Sequence, residues 1–222
     1  MKEKFMSIYR QYITRPGADE LLKWLESSDF FTAPASTRFH LARRGGLVEH
    51  SINVYERLRK LYIEQKTDPD APGTYHLSPE EEETIAICGL LHDTCKVDVY
   101  QPYQKNQKTY DPKKVAAAGD WQVKHDAQGD FVWETVAAYT FDDKLPYGHG
   151  EKSVYIIAGF MKLSREESMA IRWHMGGFDD AVRGGSRAVG VAFEQYPLAV
   201  LTHVADLMAT NLDDGKTAPA EK

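Results

Sequence analysis

The segment Ile85-Ala86-Ile87-Cys88-Gly89-Leu90-Leu91-His92-Asp93 carries an uninterrupted apolar run straight into an ionisable pair. Just upstream, Ser78-Pro79-Glu80-Glu81 reads as a helix start. Ser78 can cap, Pro79 suits the first helical position, and Glu81 completes a capping box. The acidic run Glu80 to Glu83 lies where the helix dipole favours negative charge and needs no further explanation. The segment is therefore an apolar helix that delivers His92 and Asp93 at its end. Burying an unpaired charge costs several kcal/mol. A cation removes that cost, and imidazole with carboxylate suits a divalent metal of borderline hardness. Alone, a His-Asp doublet is weak evidence, because histidines at helix C-termini and exposed aspartates are ordinary.

Working outward, most of the chain has helical periodicity. Ala18 to Leu25 is a short amphipathic helix, and Leu47 to Tyr62 carries one apolar stripe between Arg57, Arg59 and Lys60. Ser164-Arg165-Glu166-Glu167 repeats the capping-box pattern before a helix running to about Met175. Pro197 opens a last helix that continues to Leu212. The region from Val99 to Gly148 breaks the pattern with Pro102, Pro112, Gly119, Gly129 and Pro146. Within it, Trp121 to Lys124 and Phe131 to Val136 read as two strands around Asp126 to Gly129. The expected fold is mainly α, with a small β-hairpin inserted into a helical body. Residues 1–44 form an N-terminal helical extension, 45–212 the main domain with its insertion at about 99–148, and 213–222 a flexible tail.

The chain has 222 residues, of which 42% are hydrophobic and 27% charged. This balance excludes a disordered chain, a collagen-like chain and a disulfide-framed miniprotein. The longest nearly apolar stretches, Ile85 to Leu91 and Val154 to Met161, fall far short of the ~20 residues that span a bilayer. No membrane association is expected, and a start without an apolar h-region points to a cytoplasmic protein. Cys88 and Cys95 are read as reduced thiols. The net charge of −6 lacks the basic excess of a duplex-binding domain, so no duplex DNA partner is expected.

Other chemistry-bearing residues flank the doublet. Gly45-Gly46-Leu47-Val48-Glu49-His50-Ser51 places a histidine one turn into an amphipathic helix. Downstream come Gly148-His149-Gly150, Trp173-His174 and His203-Val204-Ala205-Asp206-Leu207. Asp206 sits among Val200, Leu201, Val204 and Leu207, where a carboxylate needs a partner.

The ordered set His50, His92-Asp93 and Asp206 resembles the HD-domain metal-dependent phosphohydrolases. The phrases Gly-Gly-Leu-Val-Glu-His-Ser, Leu-Leu-His-Asp-Thr-Cys-Lys and His-Val-Ala-Asp carry the likeness, which covers roughly Gly45 to Leu212. Within the superfamily it looks most like the HD region of bacterial 3′–5′ exoribonucleases, which also place a Gly-His and a later His between the doublet and the last Asp. The resemblance implies an all-helical core and a metal-activated hydroxide that hydrolyses a phosphoester of a nucleotide or short oligonucleotide. Carried over, His50, His92, Asp93 and Asp206 hold one ion. His149 and His174 match the histidines that hold a second, with Asp93 bridging. The mixed ligand set suits two divalent ions drawn from Mn, Fe, Co, Ni or Zn.

Lys96 matches the lysine of His-Asp-x-x-Lys, which in that family faces the phosphate and neutralises developing charge. Asp93 and Lys96 are thus the expected catalytic pair. His203, one turn from Asp206, is a candidate for touching substrate or orienting Asp206, and Arg44 for touching a phosphate. His40, His76 and His125 show no partner pattern. Two positions depart from the family pattern: His174 is flanked by Trp173 and Met175 where paired histidines are common, and Ala209 stands where some members carry a further Asp. Two other readings follow from the same resemblance. One is a di-iron oxygenase cleaving a C–C or C–P bond. The other is a non-catalytic signalling or scaffold domain, which usually loses the doublet. The expected partner is a phosphorylated small molecule, nucleotide or short single-stranded oligonucleotide.

Overall fold

The computed structural model describes residues 1–215. Among the described residues, ten α-helices and one small sheet follow in chain order. Helices α1 (Lys2–Tyr12) and α2 (Ala18–Ser27) precede α3 (Gly46–Lys66) and α4 (Pro79–Leu91). A 3₁₀ turn, Thr94–Lys96, leads into strand β1 (Tyr100–Thr109), the short α5 (Pro112–Ala117), β2 (Lys124–Asp126) and β3 (Gly129–Phe141). The chain then returns to helices: α6 (His149–Ala158), α7 (Arg165–Arg172), α8 (Asp180–Arg183), α9 (Ala188–Gln195) and α10 (Pro197–Met208). Helix α10 ends in a widened π turn, Ala209–Asp213.

Helix α4 is the centre of the molecule. Its last seven residues, Ile85 to Leu91, are all buried, as an all-apolar helix requires. Both features of its start are present: Ser78 Oγ accepts from the Glu81 N–H, and the Glu81 carboxylate accepts from the Ser78 N–H. Helix α3 crosses α4 at Gly89, where an added Cβ would run into the Tyr55 backbone. That close crossing, one turn before the doublet, lets His92 reach His50. Helix α6 approaches α7 in the same manner: a Cβ on Gly150 would overlap the Arg172 carbonyl. His149, between Gly148 and Gly150, is the first residue of α6.

The mainly α fold with a small inserted β element is as the sequence leads one to expect, and the insertion is larger than a hairpin. It is a three-stranded antiparallel sheet, ordered β1-β3-β2, rather than a two-stranded hairpin. The hairpin exists, but it pairs Lys124–Asp126 with Gly129–Phe131, and Trp121 to Val123 lie in a turn before it. The long partner of β3 is β1, with Tyr100 opposite Phe141 and Thr109 opposite Val132. Most of β1 is exposed, so it lacks the alternating apolar signal of a half-buried strand.

The expected tail also begins too early. Asp213 is paired with Arg57, and the Asp214 side chain is fully buried. Residues 216–222 of that tail lie outside the described residues.

The N-terminal extension is tied to the rest through Arg15. Its guanidinium donates to both Glu167 oxygens at 2.8 Å and to Glu83 at 3.1 Å. The Glu167 side chain is 1% exposed. Burial raises its pKa, but hydrogen bonds from Arg15 and from the Ser164 N–H outweigh burial and leave it lowered. Removing one partner of a buried pair strands the other charge, so Arg15→Ala is expected to destabilise the fold by roughly 3 kcal/mol. A folded pKa below the unfolded one means that this stabilisation is present above the unfolded carboxylate range, near ~4.3, and is lost as pH falls through the folded value. Urea midpoints measured from pH 7 down to pH 3 check both statements. The parent is expected to lose more of its midpoint over that range than Glu167→Gln.

Candidate metal centre

Six residues from five places in the chain converge on one point. Helix α3 supplies His50, the end of α4 supplies His92 and Asp93, α6 supplies His149, the turn after α7 supplies His174, and α10 supplies Asp206. Asp93 is central, and its two oxygens face different partners. Oδ2 lies 3.4 Å from His50 Nε2, 3.4 Å from His92 Nε2 and 2.7 Å from Lys96 Nζ. Oδ1 lies 2.9 Å from His149 Nε2 and 3.6 Å from His174 Nε2. On the Oδ2 side, Asp206 Oδ1 lies 3.2 Å from His50 Nε2. His50, His92 and Asp93 place ligand atoms within 4.8 Å of one another, as do Asp93, His149 and His174. All six sequence candidates for metal ligation are thus brought together: these two groups share Asp93, and a third, His92, His174 and Asp206, draws one imidazole from each.

The donors in this cluster lack enough protons to satisfy one another. The His92 Nδ1–H donates to the Gly89 carbonyl at 2.9 Å, and the His174 Nδ1–H to the Ile171 carbonyl at 2.7 Å. A carbonyl can only accept, so in the neutral rings both Nε2 atoms are lone pairs aimed into the cluster. Among the described residues, the buried His174 Nε2 finds no hydrogen-bond partner. Around His50 Nε2 stand three acceptors, His92 Nε2, Asp93 Oδ2 and Asp206 Oδ1, at 3.2, 3.4 and 3.2 Å. One ring proton can answer only one of them. Convergent lone pairs and carboxylates with too few donors fit divalent cations, and the nitrogen and oxygen donor set suits first-row metals.

The protonation tendencies agree. Burial lowers the His50 pKa, but the bonds to Asp206 and Asp214 outweigh it and push it up to about 9. Burial acts against His149 as well, yet Cys95 and Asp93 raise it to about 10. Burial raises the Asp93 carboxyl, but Lys96 and His92 outweigh it and hold it well below the usual range. His174 goes the other way: burial lowers its pKa and keeps its Nε2 lone pair available. The raised imidazoles and the depressed carboxyl favour positive charge at this point, which a bound cation would supply.

Exposure tells which side is open. The side chains of His50, His92, Asp93 and His174 are 0–2% exposed, whereas those of Lys96, Asp206 and His149 are 13%, 15% and 33% exposed. The first four form a floor and the last three a rim.

The other candidates divide. Lys96 is at the cluster, ion-paired to Asp93. His203 does not orient Asp206: its Nδ1–H donates to the His174 carbonyl at 2.7 Å, and its ring stacks on Phe193. It braces the turn that carries His174. Arg44 is exposed and makes no hydrogen bond or ion pair with the cluster. Lys108 of β1 is paired with Asp126 of β2, and Lys114 of α5 with Glu134 of β3, away from the cluster. Two residues escaped the sequence reading. Asp214 accepts from His50 Nδ1–H at 2.8 Å, and the His40 ring lies 5.0 Å from that of His50. His76 and His125 make no contact with the cluster, and both cysteines are free and buried. Among the described residues, no helix is long and apolar enough to cross a membrane.

A family model, the HD domain, matches residues 47–211. That range takes in all six converging residues and ends short of Asp214. Comparison with curated proteins and with solved structures returns no match. The likeness noted in the sequence is therefore supported at the level of the superfamily, and the narrower one to exoribonucleases has no match behind it.

Proposed function

The chain belongs to the HD-domain family, and on that premise we propose that it is a metal-dependent phosphohydrolase acting on a phosphoester of a nucleotide or short oligonucleotide. One observation carries this reading: the two Asp93 oxygens face two different sets of imidazoles, and a buried lone pair, His174 Nε2, has nothing else to meet. His50, His92, Asp93 and Asp206 would hold one divalent ion, and Asp93, His149 and His174 a second. Bound there, the ions supply Lewis acidity toward a phosphoryl oxygen and toward water.

The protein's own groups supply the rest. The Nδ1–H bonds of His92 and His174 to backbone carbonyls fix their rings, so that neither imidazole must reorient when the site fills. Lys96 brings a cation to the rim, ion-paired to Asp93 Oδ2 beneath it. A phosphoryl group entering over His149 and Asp206 meets that ammonium, which neutralises charge developing on a non-bridging oxygen. The buried floor keeps bulk water away from the carboxylates and strengthens each of these interactions. The substrate class rests on the family resemblance and on one surface feature. Tyr147, two residues before His149, is half exposed, and its ring packs on the exposed Tyr155 at 5.3 Å. Such a pair offers a base a face to stack on.

The test begins with metal. Two sets of ligands sharing Asp93 predict two ions per chain at saturation. Elemental analysis of the loaded protein is expected to give two, and anomalous scattering to place them on either side of Asp93. A single ion, with His149 and His174 turned elsewhere, would end the two-ion reading. The loaded protein is then offered generic phosphodiesters, nucleotides and short oligonucleotides with Mn²⁺. Hydrolysis abolished by chelation supports the proposal. A fully loaded protein inert to the whole series overturns it.

A further inference from the structure

We infer that Asp214 is a positioning residue for the metal centre, acting through His50. The inference rests on the reading above that His50 is a metal ligand. It concerns a residue outside the span matched by the family.

The local geometry is built for this contact. At the end of α10 the chain does not stop or fray but widens into a π turn, closed by the Asp214 N–H donating to the Ala209 carbonyl at 2.9 Å. Such widened turns recur at functional sites because they re-aim the residues that follow. Here the turn folds Asp214 back over α3, where its side chain is fully buried. Asp213, just before it, is clamped to Arg57 of α3, which fixes the turn from outside.

Both Asp214 oxygens are committed. Oδ2 accepts from His50 Nδ1–H at 2.8 Å, and Oδ1 accepts from Asn53 Nδ2 at 2.9 Å. His50 and Asn53 are three residues apart, on one face of α3. Asn53 thus holds the carboxylate while the carboxylate holds the ring. Helix α10 and its extension grip His50 from both ends, with Asp206 at Nε2 and Asp214 at Nδ1.

The chemistry selects positioning over ligation. A neutral imidazole has one lone pair. With the Nδ1 proton given to Asp214, that lone pair is on Nε2, the atom facing His92, Asp93 and Asp206. His40, His50 and Asp214 also lie close enough to be considered a ligand group in their own right. That arrangement would require His50 to use both nitrogens toward metals, and His40 Nε2 stays 3.9 Å from Asp214 Oδ2. A carboxylate behind a metal-bound histidine fixes its tautomer and ring angle, and losing it typically costs 10–100-fold in metal affinity.

The experiment uses the full chain loaded with Zn²⁺ and reads two quantities that do not depend on turnover. The first is the Zn²⁺ dissociation constant by chelator competition. The second is the His50 Nδ1–H proton resonance, assigned by its loss in His50→Gln. In the parent this proton is expected far downfield and slow to exchange, as a proton shared with a carboxylate should be. Asp214→Asn is expected to move it upfield and to weaken Zn²⁺ binding about 10–100-fold. Asn53→Ala, which frees only the second oxygen, is expected to shift the same resonance in the same direction by less. It also keeps the test decisive if Asp214→Asn does not fold. An unmoved resonance in whichever variant folds, or parent-like Zn²⁺ affinity in Asp214→Asn, overturns the inference. So does a third ion per parent chain that Asp214→Asn loses, since Asp214 would then be a ligand. A Zn²⁺-loaded parent that shows the resonance but hydrolyses nothing with Mn²⁺ would sink the proposed reaction and leave this inference standing.

Discussion

Asp93→Asn is expected to abolish turnover, by a factor on the order of 10³ or more, and to reduce metal loading from two ions to at most one. The size of the effect follows from the position of the carboxylate. Each oxygen serves a different set of imidazoles, at 3.4 Å on one side and 2.9 and 3.6 Å on the other. An amide keeps the shape but loses the negative charge, and it puts an NH₂ donor where one of those two sets needs an acceptor. Both ion positions are therefore weakened by one substitution. His149→Ala is the comparison, because it touches only the Oδ1 side. It is expected to cost one ion and leave the other. The helical content should survive either change: the packing that holds α3, α4 and α10 together runs through Leu47, Leu58, Ile85, Leu90 and Leu198, all buried and apolar. Elemental analysis, circular dichroism and turnover on the same preparations check the prediction. An Asp93→Asn protein that keeps both ions and near-parent turnover would show that the carboxylate is not shared.

The features legible in the sequence are local ones. Ser78 and Ser164 announce their helices because a capping box closes within four residues, and both boxes form as expected. The apolar run before the doublet places His92 and Asp93 at the end of a buried helix for the same reason. The converging histidines are legible as motifs, and their meeting depends on two close helix crossings at Gly89 and Gly150. Those glycines show no such role in the linear pattern. What escaped detection is set by partners far along the chain. Strand β1 is polar on both faces and exists through its register with β3, so it resembles a solvated loop until β3 is beside it. Asp214 meets His50 across 164 residues, from a segment whose polar composition suggests fraying. His40 lacks any motif and gains its place only through the loop that packs it on His50. His203 has the expected spacing from Asp206, but its Nδ1–H is committed to the His174 carbonyl at 2.7 Å.

Lys96→Ala is expected to lower kcat by about 10²–10³ with a much smaller change in KM, because the ammonium does most in the transition state. The structure places Nζ 2.7 Å from Asp93 Oδ2, with the side chain 13% exposed. Burial disfavours the charged amine, but Asp93 more than compensates, and its pKa is raised above that of a free lysine. Lys96 is therefore a cation at every pH at which activity would be measured, and cannot donate a lone pair to a metal. Metal content should stay at the parent value. Without metal, however, the ammonium is a principal counter-charge for Asp93, so the metal-free variant should unfold at lower denaturant than the metal-free parent. Loading should close part of that gap, because the ions then take over the neutralisation of Asp93. This pairing of a kinetic loss with a metal-dependent stability loss separates the reading from a solvated lysine, which would give kinetics within a factor of about two of the parent. Lys96→Arg keeps the charge with a different reach and a planar fork, so it should restore the metal-free stability more fully than it restores kcat. Steady-state kinetics and urea titrations with and without Mn²⁺ decide the matter. If Lys96→Ala leaves kcat unchanged, the ammonium serves only to balance Asp93, and its role at the phosphoryl group is wrong.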